Sequence, residues 1–235
     1  CDFLALRLSL CMDLPLRYGT EERRKTLMQQ HNMMWLNLYD SACAFHYALA
    51  GQTEQIPELF REHRLSTVSF LTLGKPMMEV IENQVYLAQG AYAAVIGRSE
   101  SLMSKSEKLH YALLTLHLQV QTAAAYEQLG KRPEARSLLK LALKEAEADQ
   151  FYMPFVENYR YLAKLLDGEN PNGKEAFLSR IQELGQQYEK RQEEKKQTAA
   201  YPEQFLVLTE QERKIVGLMA EHFSNKEVAE KLFLS

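Results

Sequence analysis

The chain is short of everything that would break a helix. Its 235 residues include ten glycines and seven prolines, and these sit between helical patterns rather than inside them. Three cysteines, Cys1, Cys11 and Cys43, make an odd count with no Cys-x-x-Cys spacing, which argues against a disulfide framework and fits idle thiols in a reducing compartment. The cytoplasm is the expected location. No apolar run reaches the ~18 residues of a membrane span, so no membrane partner is expected. Neither sign of charge dominates: 28 basic against 31 acidic residues give a formal net charge of −3, which by itself calls for neither a polyanion nor an anionic membrane. The opening Cys1-Asp2-Phe3-Leu4 lacks an initiator Met and a basic lead, and the chain reads as a piece of something longer. No serine, histidine and acid arrangement is legible, and no carboxylate pair stands apart from the general charge. No enzyme activity and no cofactor are expected.

What is present is a repeat. Tyr47-x-x-x-Gly51, Tyr86-x-x-x-Gly90 and Tyr126-x-x-x-Gly130 place their glycines 39 and then 40 residues apart, a period that signals stacked helix pairs. The predicted fold is all-α, a superhelical array of helix pairs (an α-solenoid), whose extended surface serves binding rather than chemistry. In the third unit, Ser104 and Glu107 form a candidate capping box that opens a long helix through Leu109, Leu116 and Val120 to Leu129. Gly130 ends it, and Pro133 starts a partner helix with Ala135, Leu139, Ala142 and Ala146 on one stripe. The second unit runs from Pro76 to Gly90 and returns over Ala91 to Met103. The first runs from about Leu27 through the single tryptophan, Trp35, to Gly51, and returns through Ile56, Leu59 and Phe60. Residues 1–18 read as one further helix.

The run Ala125-Tyr126-Glu127-Gln128-Leu129-Gly130-Lys131-Arg132-Pro133-Glu134-Ala135, followed by Ala142-Leu143, is similar to the tetratricopeptide (TPR) repeat. Ala123, Ala135 and Ala142 let paired helices approach closely, and Gly130 supplies the left-handed backbone that stops the first helix. Ile56 and Val95 stand where Ala135 stands, so wider crossings are expected in the earlier units. Beyond the repeats, Pro154 to Leu166 predicts a short helix, residues 167–173 a loop, and Phe177, Ile181, Leu184 and Tyr188 one face of a further helix. Gly168-x-x-x-x-Gly173-Lys174-Glu175 resembles a phosphate loop but has Glu where the motif needs Ser or Thr, and a helix where it needs a strand. The expected organisation is a repeat domain over 1–194, a linker over 195–204 and a second domain over 205–235.

Within that last stretch, Thr209 with Glu212 and Ser224 with Glu227 are successive capping boxes ahead of two amphipathic segments. The string from Leu208-Thr209-Glu210-Gln211-Glu212 through Ser224-Asn225-Lys226-Glu227-Val228-Ala229 to Leu232-Phe233-Leu234-Ser235 closely resembles the first half of a LuxR-type helix-turn-helix domain. It ends where that family turns into its recognition helix, and residues 205–235 carry four basic and five acidic side chains. The resemblance therefore implies DNA binding in the intact protein only, with Asn225 and Lys226 near the phosphate backbone.

A repeat array ahead of such a domain, together with the run from Tyr126 through Phe151-Tyr152-Met153-Pro154-Phe155 to Leu166, resembles the MalT-like bacterial regulators. That implies transcription regulation: a small-molecule inducer or a regulatory protein binds the array, and the protein, a possible homo-oligomer, then activates transcription. In that family an ATPase module precedes the repeats. The alternative is a TPR-like protein-interaction scaffold without DNA binding. Tyr39, Tyr47, Tyr86, Tyr92, Tyr111 and Tyr126 are possible stacking faces for an inducer, with Tyr47, Tyr86 and Tyr111 as the candidate ligand residues. Methionines 28, 33, 34, 77, 78 and 103 read as core filler. His110 and His117, seven apart on one predicted helix, lack the further ligands that zinc needs, and no metal is expected.

Overall fold

A computed structural model describes residues 2–11, 20–31, 33–68, 74–169 and 175–199, together with Lys231. They are all-helical, with no strand among them. The helices are α1 (Asp2–Cys11), α2 (Thr20–Gln29), α3 (Met33–Ala50), α4 (Glu58–Arg61), α5 (Lys75–Ala88), α6 (Tyr92–Lys108), α7 (Ala112–Gln128), α8 (Arg132–Glu147), α9 (Met153–Glu157), α10 (Tyr159–Glu169) and α11 (Ala176–Ala199). The chain divides into two units, Cys1–Lys195 and Lys196–Ser235. Of the second, the described residues are the end of α11 and Lys231, so the string 208–235, Lys231 excepted, lies outside them, Asn225 and Lys226 included. Helix α11 runs through Ala199, and the first five residues of the stretch read as a linker are therefore helical.

One device closes helix after helix. At Gly130, φ is +73°; its N–H donates to Glu127 O at 3.0 Å, and the N–H of Lys131 donates to Tyr126 O at 2.9 Å. This pair of bonds is the Schellman closure, which satisfies carbonyls that a helix end would leave bare. It recurs with the same two bonds at Gly51, His63, Gly90, His110 and Gln150. The Tyr-x-x-x-Gly repeat thus has a backbone meaning: the tyrosine carbonyl accepts from the residue after the glycine. The closures at 90, 110, 130 and 150 fall twenty residues apart, half the period of the glycines.

The alternate closures carry His110 and Gln150 instead of glycine, at φ +55° and +52°, and this overturns part of the sequence reading. The long helix expected from Ser104 to Leu129 is two helices, α6 and α7, reversed at His110. Ser104 and Glu107 lie inside α6 rather than forming a capping box. Likewise the helix drawn from Leu27 to Gly51 breaks between α2 and α3, with His31 at φ +51°. Histidine gives no breaker signal, so the pattern ran through the turns at His31 and His110. The return of the first unit is also less than expected: Ile56 to Phe60 contributes only the single turn α4, flanked by 3₁₀ turns at Thr53–Gln55 and Leu65–Thr67. The helix expected from Pro154 to Leu166 is split into α9 and α10 at Asn158. Gly168 and Glu169, expected in a loop, belong to the last turn of α10.

Helix α7 is the centre of the first unit. It packs against α5, α6, α8, α9 and α10, and every residue from Leu116 to Ala125 is buried. Ala123, Ala135 and Ala142 are fully buried, so α7 and α8 meet across small side chains. Gly185 performs the same service for α11: a Cβ placed there would lie 2.3 Å from the Tyr159 ring, closer than any packed atoms tolerate.

Two substitutions separate strain from packing. His110→Gly relieves a left-handed residue that is exposed and is expected to raise unfolding free energy by about 1 kcal/mol. Gly185→Ala improves helix propensity yet is expected to cost about 2 kcal/mol through its clash with Tyr159. Urea denaturation of each variant measures both, and an unchanged midpoint in either removes its explanation.

Candidate functional site

Burying α7 on all sides also buries its polar groups, and those must be paired. Gln121 Nε2 donates to Gln84 Oε1 at 2.9 Å and lies 3.0 Å from Val80 O; Gln84 Nε2 donates to Asn158 Oδ1 at 3.0 Å; Asn158 Nδ2 donates to Pro154 O at 2.9 Å. This ladder crosses from α7 through α5 to the α9–α10 break. Beside it, Arg7 of α1 grips Glu157 of α9 bidentately, at 2.6 and 2.9 Å. Burial pushes the Glu157 carboxyl above its ordinary range, with Arg7 pulling the other way. His117 is pressed down to about 3, first by burial and then by the Arg7 charge, so its imidazole is neutral at physiological pH. These groups are committed to one another and act as internal fasteners.

The three candidate ligand tyrosines do not converge. Tyr47 is buried at the end of α3, edge-on to His46 with centroids 5.2 Å apart. Tyr86 stacks on His63 at 3.6 Å with the rings 4° from parallel, and the Arg98 guanidinium rests 5.1 Å from its centroid. Arg98 in turn meets the buried carboxylate of Glu82 at 2.5 Å. The faces of Tyr86 are therefore already engaged. Tyr111 precedes α7 and packs with the small cluster of Val80, Leu102, Leu114 and Leu118, its carbonyl taken by Ser106 Oγ at 2.9 Å. Tyr39 is buried, and Tyr92 meets Tyr161 edge-on at 6.5 Å. Met78 is buried and Met77 and Met103 half-buried, whereas Met28, Met33 and Met34 are exposed around Trp35, which is 56% exposed.

His110 and His117 do not share a helix face, because the chain reverses between them: His110 sits in the exposed closure and His117 inside α7. Among the described residues, no three His, Cys, Asp or Glu side chains come close enough together to hold a metal ion.

Tyr126 lines an open cleft. It has a volume of about 530 Å³ between α6 and α8, with Thr122 and Tyr126 of α7 as its floor. Glu100 and Glu107 of α6 and Glu134 of α8 stand on its rims with Ser99, Ser104 and Ser137. Among the described residues no cation pairs with these three carboxylates, and Lys131 Nζ lies 5.9 Å from the tyrosine's centroid. An aromatic floor under carboxylates and hydroxyls suits a ligand that donates hydrogen bonds. The six rim residues were missed in the sequence because they are scattered surface residues of two helices; only the reversal at His110 sets those helices on either side of α7. Comparison with protein-family models, with curated proteins and with solved structures returns no match.

The buried imidazole yields a pH test. The folded pKa of His117 lies below the unfolded value, so its neutral form contributes fully above about 6.5 and stability falls as pH drops from there toward 3. Between pH 7 and pH 5, wild type is expected to lose about 2 kcal/mol more than His117→Gln. Parallel denaturation curves at the two pH values measure the difference, and equal losses would contradict a neutral buried His117.

Proposed function

We propose that the chain is the signal-sensing and coupling region of a transcription regulator of the LuxR or MalT-like kind. A helical array receives a small inducer or a regulatory protein, and its altered arrangement controls a DNA-reading domain begun by residues 205–235. The observation that carries the reading is the ordered string Leu208 to Ser235, with its two capping boxes and its Ser224-Asn225-Lys226-Glu227-Val228-Ala229 core, placed after an array of helix pairs. The described array supports the sensing half: its regular closures leave a cleft between α6 and α8 that is lined by hydrogen-bonding groups. For such a cleft to signal, its ligand must bind one arrangement of the helices better than another. The second reading, a protein-interaction scaffold, draws on the same surfaces and assigns no role to Asn225 and Lys226.

Chromatin immunoprecipitation of the native protein, using antibodies against the helical array, distinguishes the two. Discrete enriched promoter sites are expected, and Lys226→Glu at the native locus is expected to weaken enrichment at all of them alike, as loss of a phosphate contact does. Uniform background occupancy would leave the scaffold reading in possession.

A further inference from the structure

Helix α11 is held to the array in two different ways. In its first half the contacts are apolar: Phe177, Leu178 and Ile181 are buried in one cluster with Leu139, Leu143, Leu162 and Leu166, and Gly185 lies against the Tyr159 ring. Tyr188 is buried with the core of α1 and α3. Beyond it the character changes. Residues 189–195 read Glu-Lys-Arg-Gln-Glu-Glu-Lys, with no apolar side chain among them, so no hydrophobic force keeps this end on the array.

What meets the array there is polar. Gln192 is buried, its Nε2 donating to Leu10 O at 3.0 Å, and Lys195 Nζ donates to Ser9 O. Both acceptors belong to the last turn of α1, whose carbonyls have no donor within their own helix. Two side chains of α11 thus cap the end of α1. Helix α1 is itself well seated: Leu6 and Leu10 are buried, His46 Nδ1 of α3 lies 3.1 Å from Leu6 O, and Arg7 grips Glu157.

We propose that residues 189–195 are a releasable strap, latched to α1 by Gln192 and Lys195, and that its release is the step by which the array signals. The bonds of the latch are exchanged for bonds to water on opening, so the closed and open forms lie close in free energy. Gly185 is a weak point of the helix at which the strap can part from the anchored half, and a freed end shorter than ~12 residues does not stay helical alone. The α9–α10 break touches both the seat and the pivot: Glu157 holds α1 through Arg7, and Tyr159 packs on Gly185. Between them, Asn158 is bonded through Gln84 to Gln121 of α7, next in the chain to Thr122 in the floor of the α6–α8 cleft. A ligand that displaces α7 therefore moves seat and pivot together. The second unit begins at Lys196, so release lengthens the free connection ahead of it. The signalling role rests on the regulator proposed above, whereas the latch depends on the array alone.

Hydrogen–deuterium exchange of the whole chain, read by mass spectrometry, tests the latch. Gln192→Leu removes the donor and keeps the helix propensity. It is expected to speed exchange about fivefold or more both in residues 189–195 and in the last turn of α1, 182 positions away, with residues 177–184 at the wild-type rate and the melting temperature undiminished. Lys195→Met is expected to act in the same places to a smaller extent. Acceleration confined to 189–195 is the fraying of any helix end and overturns the latch. Acceleration that extends through 177–184 means that α11 opens as one piece, and overturns the strap; so does an unchanged pattern in both variants. At the native locus Gln192→Leu is expected to change transcription from the promoters that immunoprecipitation enriches. Unchanged transcription beside faster exchange overturns the signalling role of the strap, and absence of enriched promoters overturns the regulator while the exchange pattern still judges the latch.

Discussion

The organising constraint of the first unit is the left-handed residue that closes each helix from α3 to α8. A helix that ends with its last carbonyls bonded to the two residues beyond it leaves along a defined direction, and three residues later the next helix has begun. From Gly90 to Gln150 this happens every twenty residues, so α5, α6, α7 and α8 have little freedom except to lie back on one another. Their contacts follow from the turns. Gly90 and Gly130 take the required φ with open space where a Cβ would stand, nothing lying within 4 Å of it, while His110 and Gln150 adopt it against the preference of an L residue. The His110 closure is held by what it closes: the hydroxyl of Ser106 bonds the Tyr111 carbonyl and contacts Thr115 Oγ1 at 2.8 Å, locking the α6–α7 reversal from inside.

Reversal at such short intervals surrounds α7, and surrounding α7 dictates the interior chemistry. Between Leu116 and Ala125 the helix has no exposed face, and so has nowhere to solvate Gln119, Gln121, Thr122 or His117. The structure answers with the Gln121–Gln84–Asn158 ladder and with a histidine held neutral. Arg7 and Glu157 extend the same logic between α1 and α9, distant in sequence and joined through a bidentate pair. Such interior pairs are strongly directional, and breaking one member leaves the other buried and uncompensated. They fix which helices meet, and in what register, more than they add to net stability.

The surface clefts are the outward counterpart of that interior. Two flank α8, one toward α6 and one toward α10, the latter lined by Arg132, Arg136, Lys140 and Lys164, and Ser137 lines each. Their opposite charge comes from helix periodicity: Arg132, Arg136 and Lys140 fall on one side of α8 and Glu134 on the other. The periodicity is visible in the sequence. Its partner surfaces are not, because Lys164 and Gly168 come from a helix about thirty residues further on, and the carboxylates of α6 reach their cleft only through the turn at His110.

By itself the sequence determined the helical class, the forty-residue cadence and the stripes that become buried, since Tyr86, Gly90, Tyr126, Gly130, Ala135 and Ala142 carry their roles in local backbone and packing preferences. It also carried the string from Leu208 to Ser235, on which the regulatory reading rests. Only the tertiary structure decided where the unmarked turns fall, which polar residues become internal fasteners and which charges share a cleft. The reason is physical: a glycine or an apolar stripe expresses its preference within a few residues, whereas His110 turns left-handed, and Gln121 finds Gln84, only because of what the neighbouring helices place around them.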